Sequence, residues 1–304
     1  MKSLNGVKGI LFAIISSGTF GLIPLFTIPL INNMGMSESN ILFYRFTLSL
    51  LMMGAICKVR GNSFKIERKQ IIPIFILGAL YALTALFLVY SYNYIASGIA
   101  TTIHFLYPLC VSFLMVCFFK EKRSNALLVA ALLSLIGVAL MCWTGSGSFN
   151  LLGMGLAALT IITYGVYIVG LNQSGVGNLP ADILTFYVIL AGAFIFLLYA
   201  QFTTGLAPIP STKAVYYLVA LAFLATVISD LTLILAVKYA GSTVTAILGS
   251  MEPLVAVTVG VLVFSEYFSM HSFIGLLLIL TSVGLVILAD QRKKKSLAVE
   301  NKIR

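Results

Sequence analysis

Ten stretches of roughly 20 residues, built almost wholly from aliphatic, aromatic and small side chains, constrain this chain more than any motif does. They run 7–31, 40–58, 71–91, 97–119, 125–143, 151–171, 182–203, 213–237, 242–265 and 271–289. About 20 helical residues cross the hydrocarbon of a bilayer, and lipid offers no partner to an unpaired backbone group. Each stretch is therefore expected to be a membrane-spanning helix. Composition closes off a water-soluble alternative. Of the 304 residues 60% are hydrophobic and 9% charged, against about 25% charged in soluble domains, and the mean hydropathy is +1.07. Short linkers with turn formers separate the spans, among them Asn32-Asn33, Gly145-Ser146-Gly147 and Pro208-Ile209-Pro210. Lys2 and Lys8 precede the first run as in a signal peptide, but no small-x-small cleavage site follows. That run is read as a retained first helix.

The net charge of +10 is a topology signal, not a nucleic-acid footprint. With the N-terminus cytoplasmic, 17 of the 19 Lys and Arg residues fall in inside segments, leaving Lys213 outside and Arg45 within the second span. Both termini are expected on the cytoplasmic side, with 291–304 a basic tail beside anionic lipid. The loop between spans six and seven carries Asp182 and no Lys or Arg, and fits this pattern least well. The four cysteines (Cys57, Cys110, Cys117, Cys142) follow no metal or redox spacing and read as packing residues. No metal and no cofactor is expected.

The chain repeats itself. A shift of 145 residues lays 94–121 on 239–266, matching Tyr94 with Tyr239, Ser97 with Ser242, Pro108 with Pro253, Phe119 with Phe264 and Glu121 with Glu266. A shift of 144 lays Gly9, Ala13, Thr19 and Phe20-Gly21 on Gly153, Ala157, Thr163 and Tyr164-Gly165. The expected halves are 1–145 and 146–290, with five spans each. Five is odd, so the second half is expected to enter the membrane from the opposite side. Inverted repeats of this kind build transporters whose binding site lies near the midplane, where interrupted helices meet. The matched Pro108 and Pro253 are the candidate helix kinks.

The proline-centred spans ending in Glu, HFLYPL…FFKE and GSMEPL…VFSE, resemble the EamA branch of the drug/metabolite transporter superfamily, over about residues 7–289. The resemblance implies a ten-helix basket around a central cavity and export of metabolites. It implies an integral membrane protein, with a bacterial cytoplasmic (inner) membrane as the expected location.

On a helical wheel, Ser242, Thr245, Ala246, Gly249, Glu252, Pro253, Ala256 and Gly260 share one arc, opposite Val244, Leu248, Met251, Val255, Val259 and Leu262. The fourth span repeats the arc with Ser97, Ala100, Thr101, His104, Tyr107 and Pro108. Small residues admit a close neighbour or a ligand, while the bulky side meets lipid. Glu252 costs about 2.5–3.5 kcal/mol on insertion scales and needs a partner or a wet cavity. It either bonds a loosened helix or handles substrate or protons. His104 is either a packed hydrogen-bonder or a selectivity residue. Arg45 either snorkels outward, pairs with Glu38, or draws anionic groups inward. Asp230, a second proton-coupling candidate, either pairs with Lys238 or faces the cavity.

Tyr81 and Thr84, Ser16 and Thr19, and Thr160, Thr163, Tyr164 and Tyr167 form further polar stripes, while Tyr90, Tyr92 and Tyr94 read as an outer aromatic belt. The candidate substrate-binding set is Glu252, His104, Tyr107, Tyr81, Thr163, Tyr164 and Arg45. The expected function is secondary transport of small polar metabolites, most simply export of amino acids or related solutes. Multidrug export and nucleoside or nucleobase transport on the same fold are the alternatives. Enzymatic activity is not expected, because neither H-E-x-x-H nor paired intramembrane aspartates are present.

Overall fold

All regular structure among the described residues is helical. The fold comes from a computed structural model that describes residues 2–119, 125–141, 150–176, 179–249, 251–282, 284, 285 and 288. Glu121, Cys142, the Gly145-Ser146-Gly147 turn and the basic tail lie outside them. In chain order the helices are α1 Lys2–Phe20, α2 Ile23–Asn32, α3 Glu38–Val59, α4 Arg68–Ser91, α5 Ser97–His104, α6 Tyr107–Phe118 and α7 Asn125–Met141. There follow α8 Leu151–Gln173, α9 Ala181–Thr203, α10 Thr212–Ala222, α11 Ser229–Leu248 and α12 Met251–Phe264, with α13 covering Met270–Ser282.

Among the described residues seven stretches are long and apolar enough to cross a membrane. They are Val7–Asn32, Glu38–Val59, Arg68–Ser91, Ser97–Phe118, Leu151–Leu171, Ala181–Thr203 and Thr212–Ala236, with α12 and α13 as shorter apolar helices. The distribution of polarity agrees. Leu51, Val59, Ile72, Phe118, Leu135, Phe202 and Leu262 are exposed, while Arg45, His104, Asp230 and Glu252 are buried. Water would not tolerate that arrangement; hydrocarbon requires it. The chain is a polytopic helical membrane protein.

Four spans are interrupted near their middles. The first breaks at Gly21-Leu22 before Pro24, and the fourth at Phe105-Leu106 before Pro108. The ninth breaks at Gly249 before Pro253. The eighth widens into a π-helical stretch, Phe223–Ile228. At the first, fourth and ninth a proline (Pro24, Pro108 or Pro253) occupies the opening turn of the following half-helix. There its missing N–H was never going to find an intrahelical acceptor, so the usual interior cost of about 3 kcal/mol does not arise.

Helix α11 cannot be straight. Nineteen residue steps would separate Ser229 from Leu248 by about 28 Å. Yet the adjacent Ser16 and Ser17 donate their hydroxyls to Ser229 O and Leu248 O, both at 2.9 Å. The chain therefore doubles back within α11, joining the eighth span to the ninth while α1 lies along both arms.

Polar contacts gather at two opposite ends. At one, Asp182 meets Arg60 at 3.7 Å and accepts from Asn62, and Tyr187 donates to Phe64 O. At the other, Asn93 donates to Glu38, and Asn40 joins Thr204, Gly205 and Ala207. Here Glu266 accepts from the Ser97 backbone N–H and hydroxyl at 2.9 and 2.7 Å, capping α5 with a carboxylate where the helix dipole favours one. Asp182 thus has its cationic partner on a neighbouring loop. Among the expected belt tyrosines, Tyr94 is exposed, Tyr90 bonds Tyr199, and the Tyr92 hydroxyl is buried.

Close helix approaches rest on glycine. A Cβ on Gly78 of α4 would lie 2.8 Å from Val188 O of α9 and strike the Ala191 side chain, whereas one on Gly155 would meet nothing within 4 Å. Gly78→Val is expected to cost about 1–3 kcal/mol by overpacking, and Gly155→Ala to be neutral or to gain up to about 1 kcal/mol. Thermal unfolding in detergent separates the two; equal melting temperatures would contradict the α4–α9 contact.

Candidate functional site

The interrupted spans converge on one point. A Cβ on Gly21 would lie 2.6 Å from Glu252 O and 2.8 Å from the Val255 Cβ. A Cβ on Gly165 would lie 2.9 Å from the Cys110 Sγ and 3.7 Å from Tyr107 O. In the repeat Gly21 matches Gly165, Glu252 matches Tyr107, and Val255 matches Cys110. The first span of each repeat thus docks on the broken span of the other, through the same positions. Glycine is required at both, because any side chain would push the break apart.

A narrow cavity lies at this crossing, bordered by Phe20, Tyr107, Tyr164 and Glu252. These four are two matched pairs, Phe20 with Tyr164 and Tyr107 with Glu252. Ser16, Ser17, Ser229 and Thr245, with Ala13, Leu233 and Gly249, complete its lining. It leaves about 20 Å3 for the centre of a water-sized sphere, room on the order of one water. This conformation is closed at its centre.

The two repeats differ where it matters. Position 104 is histidine; its match, 249, is glycine. The His104 imidazole fills its half, stacked on Phe20 at 5.8 Å and tilted against Tyr164 at 5.0 Å and Tyr107 at 5.5 Å. On the other side Gly249 leaves that volume open, and the cavity occupies it. His104 Nδ1 bonds the Thr160 hydroxyl at 2.9 Å, and its Nε2 stands 3.7 Å from Glu252 Oε1. Neither Nε2 nor Oε1 has a protein hydrogen-bond partner.

An aromatic ladder leads away from the cavity. Tyr107 packs edge-on to Tyr164 at 4.7 Å, Tyr164 stacks on Tyr167 at 5.6 Å, and Tyr167 meets Tyr81 at 5.5 Å. Tyr81 lies beside the Asp230 carboxyl, and Asp230 lies in the field of Arg45. Arg45, 1% exposed, neither snorkels nor reaches Glu38. Its Nε donates to Thr226 Oγ1 at 2.7 Å and its Nη2 to Ala225 O at 3.2 Å. The π-helical stretch explains this direction. Widening the turn releases carbonyls from the helix ladder, and Arg45 takes Ala225 O while Ser49 takes Ala222 O at 3.1 Å. Asp230, with both oxygens buried and unpartnered, does not pair with the exposed Lys238.

The structure thus brings Glu252, His104, Tyr107 and Tyr164 together, with Tyr81, Arg45 and Asp230 as a second cluster at the far end of the ladder. Thr163 lies apart, its hydroxyl bonded to Thr84 at 2.7 Å. Along the ninth stretch, Thr245 of α11, Gly249 of the break, and Glu252, Pro253, Ala256 and Gly260 of α12 are buried as the wheel implies, and Met251 and Leu262 are exposed. Val259 is buried too, so the protein-facing stripe is wider than expected. Phe20, Ser17 and Ser229 were not among the candidates. The matched aromatic-Gly pairs, Phe20-Gly21 and Tyr164-Gly165, were the available signal for Phe20. The segment FLATVI has no Pro or Gly to betray the π-helical stretch.

Comparison with known proteins gives one family and one fold. A family model described as the EamA-like transporter family matches residues 7–143 and 151–288, two copies that cover nearly the whole chain. No curated protein matches significantly. A solved structure described only as "Crystal structure of protein" superposes with a TM-score of 0.69 at 18% identity, covering 96% of this chain and 99% of its own. At that identity the likeness concerns the fold alone.

Arg45 and Asp230 lie in one field without forming an ion pair, so Arg45→Leu withdraws a compensating charge from Asp230 and a donor from Thr226 Oγ1 and Ala225 O. It is expected to lose about 1–3 kcal/mol of stability, and Arg45→Leu with Asp230→Asn to recover part of it. Melting temperature and monodisperse yield in detergent read this out; a double variant no better than the single would show that the two charges are uncoupled.

Proposed function

Because the chain belongs to the EamA-like transporter family, we propose that it is a secondary transporter of small polar metabolites, exporting amino acids or related solutes by alternating access. The observation that carries this reading is the meeting of interrupted spans at a cavity bordered by matched residues of the two repeats. Backbone irregularity at membrane depth persists where it lines a cavity or is buried in protein.

The architecture we propose is ten helices in two five-helix halves threaded in opposite directions. Three observations support it. Loop 32–38, between the first two spans, lies at the Glu38 end, while its counterpart around Asp182 lies at the Arg60 end. The reversal inside α11 supplies the turn between the eighth and ninth spans. The Gly21 and Gly165 contacts are exchanged between halves. Basic residues crowd the Arg60 end, so we assign it to the cytoplasm, with both termini, in a bacterial inner membrane. Rocking of the halves about the Gly21 and Gly165 contacts would open the cavity to either side in turn.

Glu252, His104, Tyr107 and Tyr164 are the proposed substrate contacts. Tyr81 and Arg45 stand at the end of the aromatic ladder, and Thr163 acts through Thr84. Glu252, which borders the cavity, and Asp230, at the far end of the ladder, are buried carboxyls and the candidates for carrying a coupling proton. A cavity holding a single carboxyl among aromatic rings and hydroxyls suits a small amino compound better than a polycation, which ranks multidrug export second. Nucleoside transport ranks with it.

Inverted and right-side-out vesicles loaded with radiolabelled amino acids, nucleosides and cationic dyes test the reading. Inverted vesicles are expected to accumulate amino acids against a gradient, and a protonophore to collapse the accumulation. Transport of nucleosides or dyes instead selects an alternative, and failure to move any of these solutes removes the transporter assignment.

A further inference from the structure

The hydrogen-bond bookkeeping around His104 has a chemical consequence for the ligand. Thr160 has one hydroxyl hydrogen, and it is committed to Ala157 O. Toward His104 the Thr160 oxygen is therefore an acceptor, and the hydrogen of their 2.9 Å bond sits on Nδ1. In neutral imidazole one nitrogen donates and the other accepts, so Nε2 presents a lone pair. It is aimed at Glu252 Oε1 across 3.7 Å, and a carboxylate oxygen is an acceptor too. An imidazolium would close on the carboxylate to about 2.7–2.9 Å, and the observed separation is not of that kind.

With Glu252 ionised, as a cationic ligand requires, two buried acceptors thus face one another with no donor between them among the described residues, on side chains 0% and 6% exposed. They ask for a group carrying at least two hydrogens. A nitrogen set off the line between them reaches both at about 2.9 Å. The rings of Tyr107, Tyr164 and Phe20 pack around His104 and, with Glu252, border the adjoining cavity, where they offer faces that attract a cation. We propose that the His104–Glu252 pair is an ammonium-recognition site that selects primary amino groups by their N–H donors as well as by their charge. This rests on the transporter reading above and names its substrate class: a primary amine, free or as the α-amino group of an amino acid. His104 acts as a hydrogen-bond acceptor held in one tautomer by Thr160. The carboxylate alone would accept any cation; the imidazole makes the site discriminate.

The discriminating probes are ammonium ions of equal charge and unequal hydrogen count. L-phenylalanine and 2-phenylethylamine, each with its N,N,N-trimethyl counterpart, are titrated calorimetrically into the purified full-length protein in detergent. The primary forms are expected to bind at least about tenfold tighter than the trimethylated ones. His104→Phe keeps a ring in the aromatic stack but removes the acceptor, and should bring the two affinities within about twofold of each other. Glu252→Gln places an amide N–H opposite the Nε2 lone pair, so it should lose primary-amine binding by at least about tenfold while melting at a higher temperature than the parent. A merely structural Glu252 would give no such opposite movement of affinity and stability.

Equal or tighter binding of the trimethylated probes overturns the proposal and leaves the transporter assignment standing. So does binding of neither member of each pair by a protein that still moves nucleosides in vesicles. Absence of all binding and all transport removes both. If L-phenylalanine binds and 2-phenylethylamine does not, the class narrows to amino acids; the reverse narrows it to simple amines.

Discussion

A membrane leaves the backbone of this protein no solvent to fall back on, and the rest of the structure follows from how that constraint is met. Where the helices are continuous, each N–H finds its carbonyl within the span. Where they break, at Gly21, Phe105-Leu106 and Gly249, the loosened segments lie against each other in the protein interior and not against lipid. The Ser17 hydroxyl donates to Leu248 O, and the serines at 16 and 229 exchange hydroxyl-to-carbonyl bonds. Arg45 and Ser49 serve the carbonyls released by the π-helical stretch. Each irregular element needs the others nearby, which gathers polar side chains at one depth.

Internal repetition then decides the shape of that centre, and departure from repetition decides its chemistry. Matched residues form the frame: Phe20 with Tyr164, Tyr107 with Glu252, and Gly21 with Gly165. Within that frame one copy has a carboxyl where the other has a phenol, and an imidazole where the other has a bare glycine. A fully symmetric centre would present the same group twice. Here the imidazole fills one side, the cavity opens on the other, and a single carboxyl borders it. Arg45 and Asp230 break the repeat as well, and they do so at the end of the tyrosine ladder.

The ends of the molecule carry the complementary half of the design. Glu266 closes on the start of α5 through three donors, Ser97 N, Ser97 Oγ and Gly98 N, and Gly260 has no side chain to block its approach. Arg60 and Asn62 hold Asp182 at the opposite end. Pairs at the rims, reachable by water, exchange partners at little cost; those at the centre do not.

Much of this was legible in the residues alone, because the bilayer reduces folding to a problem of length and period. Twenty apolar residues dictate a helix whatever surrounds them, and a match at a fixed offset dictates two copies. Small residues on one arc of the ninth span dictate which face meets protein, so the burial of Glu252 and His104 could be read from the wheel. The direction of Arg45, the partner of His104, the diversion of Thr163 to Thr84 and the π-helical stretch were decided only by the tertiary structure. Those depend on which carbonyl or hydroxyl another span brings within 3 Å, and no local period encodes the register between helices distant in sequence. The sequence determined what must be buried; only the packed molecule decided what each buried group would face, because a hydrogen bond is set by the positions of two chains and a hydrophobic span by one.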